Sequence, residues 1–135
     1  MDSIERTYRT GGRSAVLDLS DDAADFVRDR GDGLLSVFVP HATAGLAIVE
    51  VGAGSDDDLL AALDHLLPAE EGRWSHRHGS RGHGRDHVVP AFLAPSLTVP
   101  VLAGTLALGT WQSVVLVDTN VDNHERTVRL SFLPG

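Results

Sequence analysis

Most of the chain's apolar residues fall in short runs rich in valine, leucine and threonine, each followed within a few residues by Gly, Pro or Asn. Gly33 to Pro40, Thr43 to Val51, Ser96 to Val101, Thr105 to Leu108, Thr110 to Val117 and Arg126 to Leu133 all have this character. Ser14 to Leu19 joins them, alternating apolar and polar residues after the turn Gly11-Gly12. β-branched runs of this length bounded by turn formers read as strands. Strands bury their apolar faces only against another layer, so a chain built this way must fold as packed sheets.

Two segments break the pattern. Ser20 suits a helix N-cap, with Asp21 and Asp22 in the first turn, Ala23, Phe26 and Val27 on one face, Arg28 and Arg30 in the last turn and Gly31 as the stop. Ser55 opens a second helix, with Asp56, Asp57 and Asp58 at its positive end, leucines at 59, 60, 63, 66 and 67, and Pro68 as its end. With strands in clear excess, the expectation is an α+β fold: a predominantly antiparallel, sandwich-like β domain with two or three flanking helices. A chain of 135 residues is of single-domain size, so one domain over residues 1–135 is expected.

Composition narrows the function. Nineteen acidic residues against eleven basic ones leave a formal charge of -8, which argues against a nucleic-acid or anionic-membrane binder. There is no cysteine, which removes thiolate chemistry and any disulfide, and every basic residue is arginine. Schiff-base chemistry and a P-loop lysine are thereby excluded, and a phosphate would be held by guanidinium forks, backbone amides or a metal. The opening Met-Asp-Ser-Ile-Glu-Arg-Thr-Tyr lacks the order of a signal peptide and no apolar run is long enough to span a bilayer, so a cytoplasmic location is expected.

Four of the seven histidines fall between Trp74 and His87, in a Gly- and Arg-rich stretch expected to form an irregular loop running into a short turn. His41 ends a strand-like run, on rigid backbone. If the loop folds back on that strand mouth, His41, His76 and His87 converge as three ligands with an open fourth position, a common zinc arrangement. The alternative is a solvated loop whose histidines bind nothing, and His78 and His83 fit it best. His65 and His124 read as surface residues. Glu50 and Asp118 either point to solvent or orient a ligating imidazole and relay a proton. Arg126 could hold an anionic substrate, or form a surface pair with Asp118 or Asp122. Trp111 reads as core more readily than as a stacking platform, and Gln112 beside it would be costly if buried unpaired.

Pro40-His41-Ala42-Thr43-Ala44-Gly45-Leu46-Ala47-Ile48-Val49-Glu50, Asp58-Leu59-Leu60, Leu67-Pro68, His76, His87, Pro100-Val101 and Leu108-Gly109-Thr110-Trp111-Gln112 together resemble the YjbQ family over nearly the whole chain. The resemblance implies a mainly β domain with flanking helices that assembles as a homotrimer. It also implies secondary thiamine-phosphate synthase activity, a transfer joining an aminopyrimidine diphosphate to a thiazole phosphate with release of pyrophosphate. The family's motif and loop histidines fall on His41, His76 and His87. Its acidic residue after the Trp-Gln strand falls on Asp118 and the following arginine on Arg126. The reading is then a divalent metal on His41, His76 and His87, zinc first and magnesium as the alternative with a diphosphate substrate. Glu50, Asp118 and Arg126 serve catalysis, and Thr43, Thr110, Gln112 and Arg126 bind a small phosphorylated substrate. A metal-dependent hydrolase of such a compound, or a trimer that binds metal or a small molecule without turnover, would use the same groups. The chain departs from the family at Val51-Gly52-Ala53-Gly54, where an Asn-x-Asp-Pro stretch is usual, and at Arg85, where an acidic or small polar residue is common.

Overall fold

The computed structural model describes residues 1–135. Strands β1 (Asp2–Arg9), β2 (Ala15–Asp18), β3 (Gly33–Phe38), β4 (Ala44–Val49), β5 (Ser96–Leu102), β6 (Thr105–Leu106), β7 (Ser113–Asp118) and β8 (Glu125–Pro134) are joined by helices α1 (Ser20–Val27), α2 (Ser55–Leu66) and α3 (His83–Asp86). They form two sheets, in the orders β1-β8-β3-β5-β6 and β2-β7-β4. Every pairing is antiparallel. The fold is therefore α+β with antiparallel sheets, as the succession of short runs requires.

Alternation decides which side chains meet. Leu35 and Val37 of β3, Val99 and Val101 of β5 and Val128 and Leu130 of β8 share one face of the larger sheet, and Ala44, Leu46, Val114 and Leu116 face them from the smaller. Ala23, Phe26 and Val27 of α1 complete this core. On the opposite face of the smaller sheet, Val115 and Val117 pack against Leu63 of α2, so β7 is buried on both sides. That explains why its run reads Val-Val-Leu-Val without polar interruption.

Three local readings change. The strand β1 carries no continuous apolar signal, because only Ile4 and Tyr8 are even partly buried; its order comes from backbone pairing with β8. Neither expected serine cap forms. Ser20 accepts the Val114 N–H on its hydroxyl at 3.0 Å, tying α1 to β7, and Gly54, with φ of 103°, turns the chain into α2. The first helix ends at Val27, short of Gly31, because Arg28 is extended and Asp29 has positive φ. No helix is long and apolar enough to cross a membrane.

Candidate functional site

A stretch as rich in Gly and Arg as 72–87 would be mobile if nothing held it. It is pinned at the end of α3. Arg85 and Asp86 are buried, at 5% and 2% exposure. Arg85 Nη1 donates to Asp64 Oδ1 at 2.9 Å and to the Leu67 carbonyl at 3.0 Å, while its Nε donates to Asp86 Oδ1 at 3.0 Å. Asp86 also accepts from the Thr119 hydroxyl at 2.6 Å and the Asn120 amide at 3.2 Å. Burial raises the Asp86 pKa against the pull of these partners. Upstream, Trp74 Nε1 donates to the Pro68 carbonyl at 3.0 Å, fixing the start of the stretch against the end of α2.

This framework gathers four imidazoles. His83 and His87 lie four residues apart on one helical face, and their Nε2 atoms are 3.1 Å apart. The His76 ring centre is 4.3 Å from that of His87 and 5.2 Å from that of His83, and His78 stands 4.0 Å from His76. One ring nitrogen each from His76, His83 and His87 falls within a group no more than 4.8 Å across. Behind His83, Asp122 Oδ2 is 3.0 Å from Nδ1 and the Asn120 amide nitrogen 3.1 Å. The Asn120 oxygen already accepts the Asp122 and Asn123 backbone N–H groups, each at 3.0 Å, so its amide is not free to turn. A carboxylate is the stronger partner for a ring N–H, so the tautomer with the His83 proton on Nδ1 satisfies Asp122 and turns the Nε2 lone pair toward His87 Nε2.

Partial desolvation, then the neighbouring rings, hold His76 and His87 below the ordinary imidazole pKa. Ser80 donates to Asp122 from its backbone and its hydroxyl, and these bonds keep that carboxyl ionised to lower pH. The cluster thus holds two imidazoles biased toward the neutral form, His76 and His87, beside a carboxylate, Asp122. Two nitrogens bound to one zinc at about 2.0–2.1 Å stand roughly 3.3 Å apart, close to the His83–His87 separation of 3.1 Å. The donor set fits zinc. Beside it opens a cavity of about 270 Å³ whose walls include Glu70, Arg77 and Arg81 and which is polar apart from one residue.

The residues expected from sequence divide between this cluster and a second locus. His76 and His87 belong to the cluster, and His83, read from sequence as a solvated loop residue, stands in it where His41 was expected. The spacing of His83 and His87 at i and i+4 carried the signal, masked by the glycines that hid the helical turn. His41 lies instead beside β8, where its Nε2 accepts the Thr127 N–H at 2.9 Å, so that lone pair is already engaged. Near it, Arg126 and Asp118 form a two-pronged ion pair at 2.7 and 2.9 Å. They are 1% and 0% exposed, so the pair is an interior one and not the surface pair weighed from sequence. Thr43 is buried and its hydroxyl accepts from Arg126 Nη2 at 2.8 Å. Glu50 is half-buried just past the end of β4. Thr110 and Gln112 sit in an exposed turn, where the Gln112 side chain accepts the Gly109 N–H at 2.8 Å, and Trp111, expected in the core, is 72% exposed.

The model of the YjbQ-like UPF0047 proteins matches residues 4–135. The UPF0047 protein of Mycobacterium tuberculosis strain H37Rv is 58% identical over 91% of this chain and 92% of its own length. That of Archaeoglobus fulgidus is 32% identical over 93% and 97%. Among solved structures, a hypothetical protein from Aeropyrum pernix K1 superposes with a TM-score of 0.89 at 31% identity, covering both chains in full. A YbjQ-like protein of unknown function from Sulfolobus solfataricus P2 shares the fold with the same TM-score at 23% identity, over 99% and 97% of the two chains. Fold, length and sequence agree over nearly the whole chain, and the protein belongs to the YjbQ-like UPF0047 family.

Proposed function

We propose that the protein is a metal-dependent enzyme acting on a small phosphorylated compound, and that joining an aminopyrimidine diphosphate to a thiazole phosphate is the first reaction to test. The observation that carries this reading is the group of ring nitrogens from His76, His83 and His87, with Asp122 behind His83 and an open polar cavity in front. Structural zinc sites are closed by a fourth protein ligand, whereas a three-histidine set leaves a coordination position for substrate or water. His41 is assigned no bond to the metal here, because its Nε2 is held by Thr127.

A divalent cation at these histidines, zinc in the first instance, would supply Lewis-acid polarisation of a phosphoryl oxygen. The protein's own groups carry the rest. Arg77 and Arg81 line the cavity and can neutralise charge gathering on a departing pyrophosphate. The Arg81 Nε is committed to the Ala69 carbonyl at 2.9 Å, which orients the guanidinium and leaves its terminal nitrogens free. Asp122 keeps the His83 lone pair turned to the cavity. In the transfer, the thiazole nitrogen forms a bond to the pyrimidine's methylene carbon as the bond from that carbon to the diphosphate oxygen breaks, and pyrophosphate leaves with the electron pair.

We further propose assembly as three copies of the chain. Leu34, Phe38 and Leu133, exposed on the outer face of the larger sheet, support self-association, and the net charge of -8 favours small-molecule over nucleic-acid partners. The test is incubation of the purified protein with the two phosphorylated precursors, with and without added zinc. Formation of thiamine phosphate that is lost in His83→Ala supports the reading, and absence of product at every metal tested removes the transferase assignment.

A further inference from the structure

The second locus contains donors that nothing in the chain uses. The turn His41 to Thr43 and the start of β8 are stitched twice. Thr127 N–H donates to His41 Nε2 at 2.9 Å, and one residue earlier Arg126 Nη2 donates to the Thr43 hydroxyl at 2.8 Å. These bonds run in the same direction, from β8 to the turn, and each leaves a proton on the turn side without a partner. A neutral imidazole that accepts through Nε2 carries its hydrogen on Nδ1. No acceptor in the chain lies within hydrogen-bonding distance of that N–H. The Thr43 hydroxyl, having accepted, retains its own O–H to donate.

Arg126 repeats the pattern. Its Nε and Nη2 are bound by Asp118 and Thr43, which leaves Nη1 with two N–H groups and no protein acceptor. No buried side-chain nitrogen or oxygen lacks a partner, so Nη1 reaches solvent although the residue as a whole is 1% exposed. Asp118 fixes the guanidinium plane and cancels its charge locally. What remains at this junction is a set of donors held in place by protein partners, with the Asp118 carboxylate turned to Arg126 and the Asn120 N–H, a pattern that fits a tetrahedral oxyanion better than a cation.

We propose that His41 Nδ1, Thr43 Oγ1 and Arg126 Nη1 form an oxyanion subsite, separate from the histidine cluster, that receives the phosphate of a phosphorylated small molecule. This deepens the proposed function, on whose phosphorylated substrate it rests. It also gives His41 a role as hydrogen-bond donor in place of metal ligand. Desolvation, and then the nearby Arg126 charge, hold the His41 pKa below the ordinary value, so the neutral donor form is the one present at neutral pH.

Inorganic phosphate titrated calorimetrically into the full chain carrying His83→Ala reads this subsite with the cluster disabled. Adding His41→Gln retains an acceptor for the Thr127 N–H but moves the donor from the ring Nδ1 position to a side-chain amide, and adding Thr43→Val replaces the hydroxyl by a methyl group. Each should weaken phosphate binding roughly tenfold or more, the loss of one hydrogen bond to a charged group, with thermal melting confirming a folded chain. Equal affinity in either folded variant, or no saturable phosphate binding in the His83→Ala parent, overturns the proposal. So does loss of bound zinc on His41→Gln in the otherwise native chain, which would make His41 a ligand. Failure of the metal reading leaves the phosphate titration intact, so the two proposals fall separately.

Discussion

The side-chain nitrogen of Asn120 lies 3.1 Å from His83 Nδ1, while its backbone N–H donates to Asp118 Oδ1 at 2.9 Å. One residue thus joins the histidine cluster to the buried Arg126–Asp118 pair. Its oxygen closes the turn after β7 by accepting from Asp122 and Asn123, so the position of Asp122 behind His83 depends on it as well.

Asn120→Ala therefore acts on both stability and metal. Losing the turn bonds and the partner of buried Asp86 should cost about 1–3 kcal/mol in urea unfolding. Displacing the carboxylate that orients His83 should weaken zinc binding by about 10–100-fold. Weaker unfolding with unchanged zinc affinity would show that Asn120 serves the fold alone.

The Arg126–Asp118 pair makes a contrasting prediction. Asp118→Val leaves a guanidinium buried without its counter-charge and should destabilise by about 3–5 kcal/mol, whereas the double variant Asp118→Val, Arg126→Met should recover much of that loss. Chemical denaturation of the single and double variants decides it. A double variant no more stable than the single would mean that hydrogen bonds to Thr43 and Asn120, and not the uncompensated charge, dominate.

His41 sets a pH dependence whose sign is fixed by its downward shift. The unfolded chain binds the proton more readily than the folded one, so the contribution of this residue is complete above the ordinary imidazole value of about 6.5 and is lost as pH falls through the lower folded value. Protonation would set Nε2–H against the Thr127 N–H. Amide exchange at Thr127 should accelerate on acidification in the native chain, and to a smaller degree in His41→Gln. Identical acid profiles in the two would refute the assignment.

Gly45 makes a purely steric prediction. A Cβ placed there would lie 2.1 Å from the Leu93 carbonyl oxygen, where the segment ahead of β5 crosses β4 and the Leu46 N–H donates to Ala94 at 2.9 Å. Gly45→Ala should cost about 1–3 kcal/mol by overpacking, measured as a lowered Tm. An unchanged Tm would mean that the crossing segment yields freely.

What could be read from sequence follows from which forces are local. Strands such as β3 and β7 announce themselves because their apolar residues are intrinsic to the segment. The strand β1 does not, since an edge strand with mostly exposed side chains gets its order from hydrogen bonds to β8, contributed by residues more than a hundred positions away. The histidine stretch was visible as chemistry, but its membership was not. Arg85 and Asp86, which read as more charge in a charged loop, are the buried anchor that turns His83 toward His87. His41 looked like a ligand because it ends a strand, and only the Thr127 contact, set by the pairing of distant segments, shows where its lone pair goes.

The central claim is that His76, His83 and His87 hold a divalent cation. Metal content of the purified chain by plasma mass spectrometry, compared with His83→Ala and His41→Gln, tests it directly. The account predicts one equivalent of zinc per chain in the native protein and in His41→Gln, and loss of that equivalent in His83→Ala. Stoichiometric zinc that survives His83→Ala, or a native chain that takes up none when zinc is supplied, would contradict it.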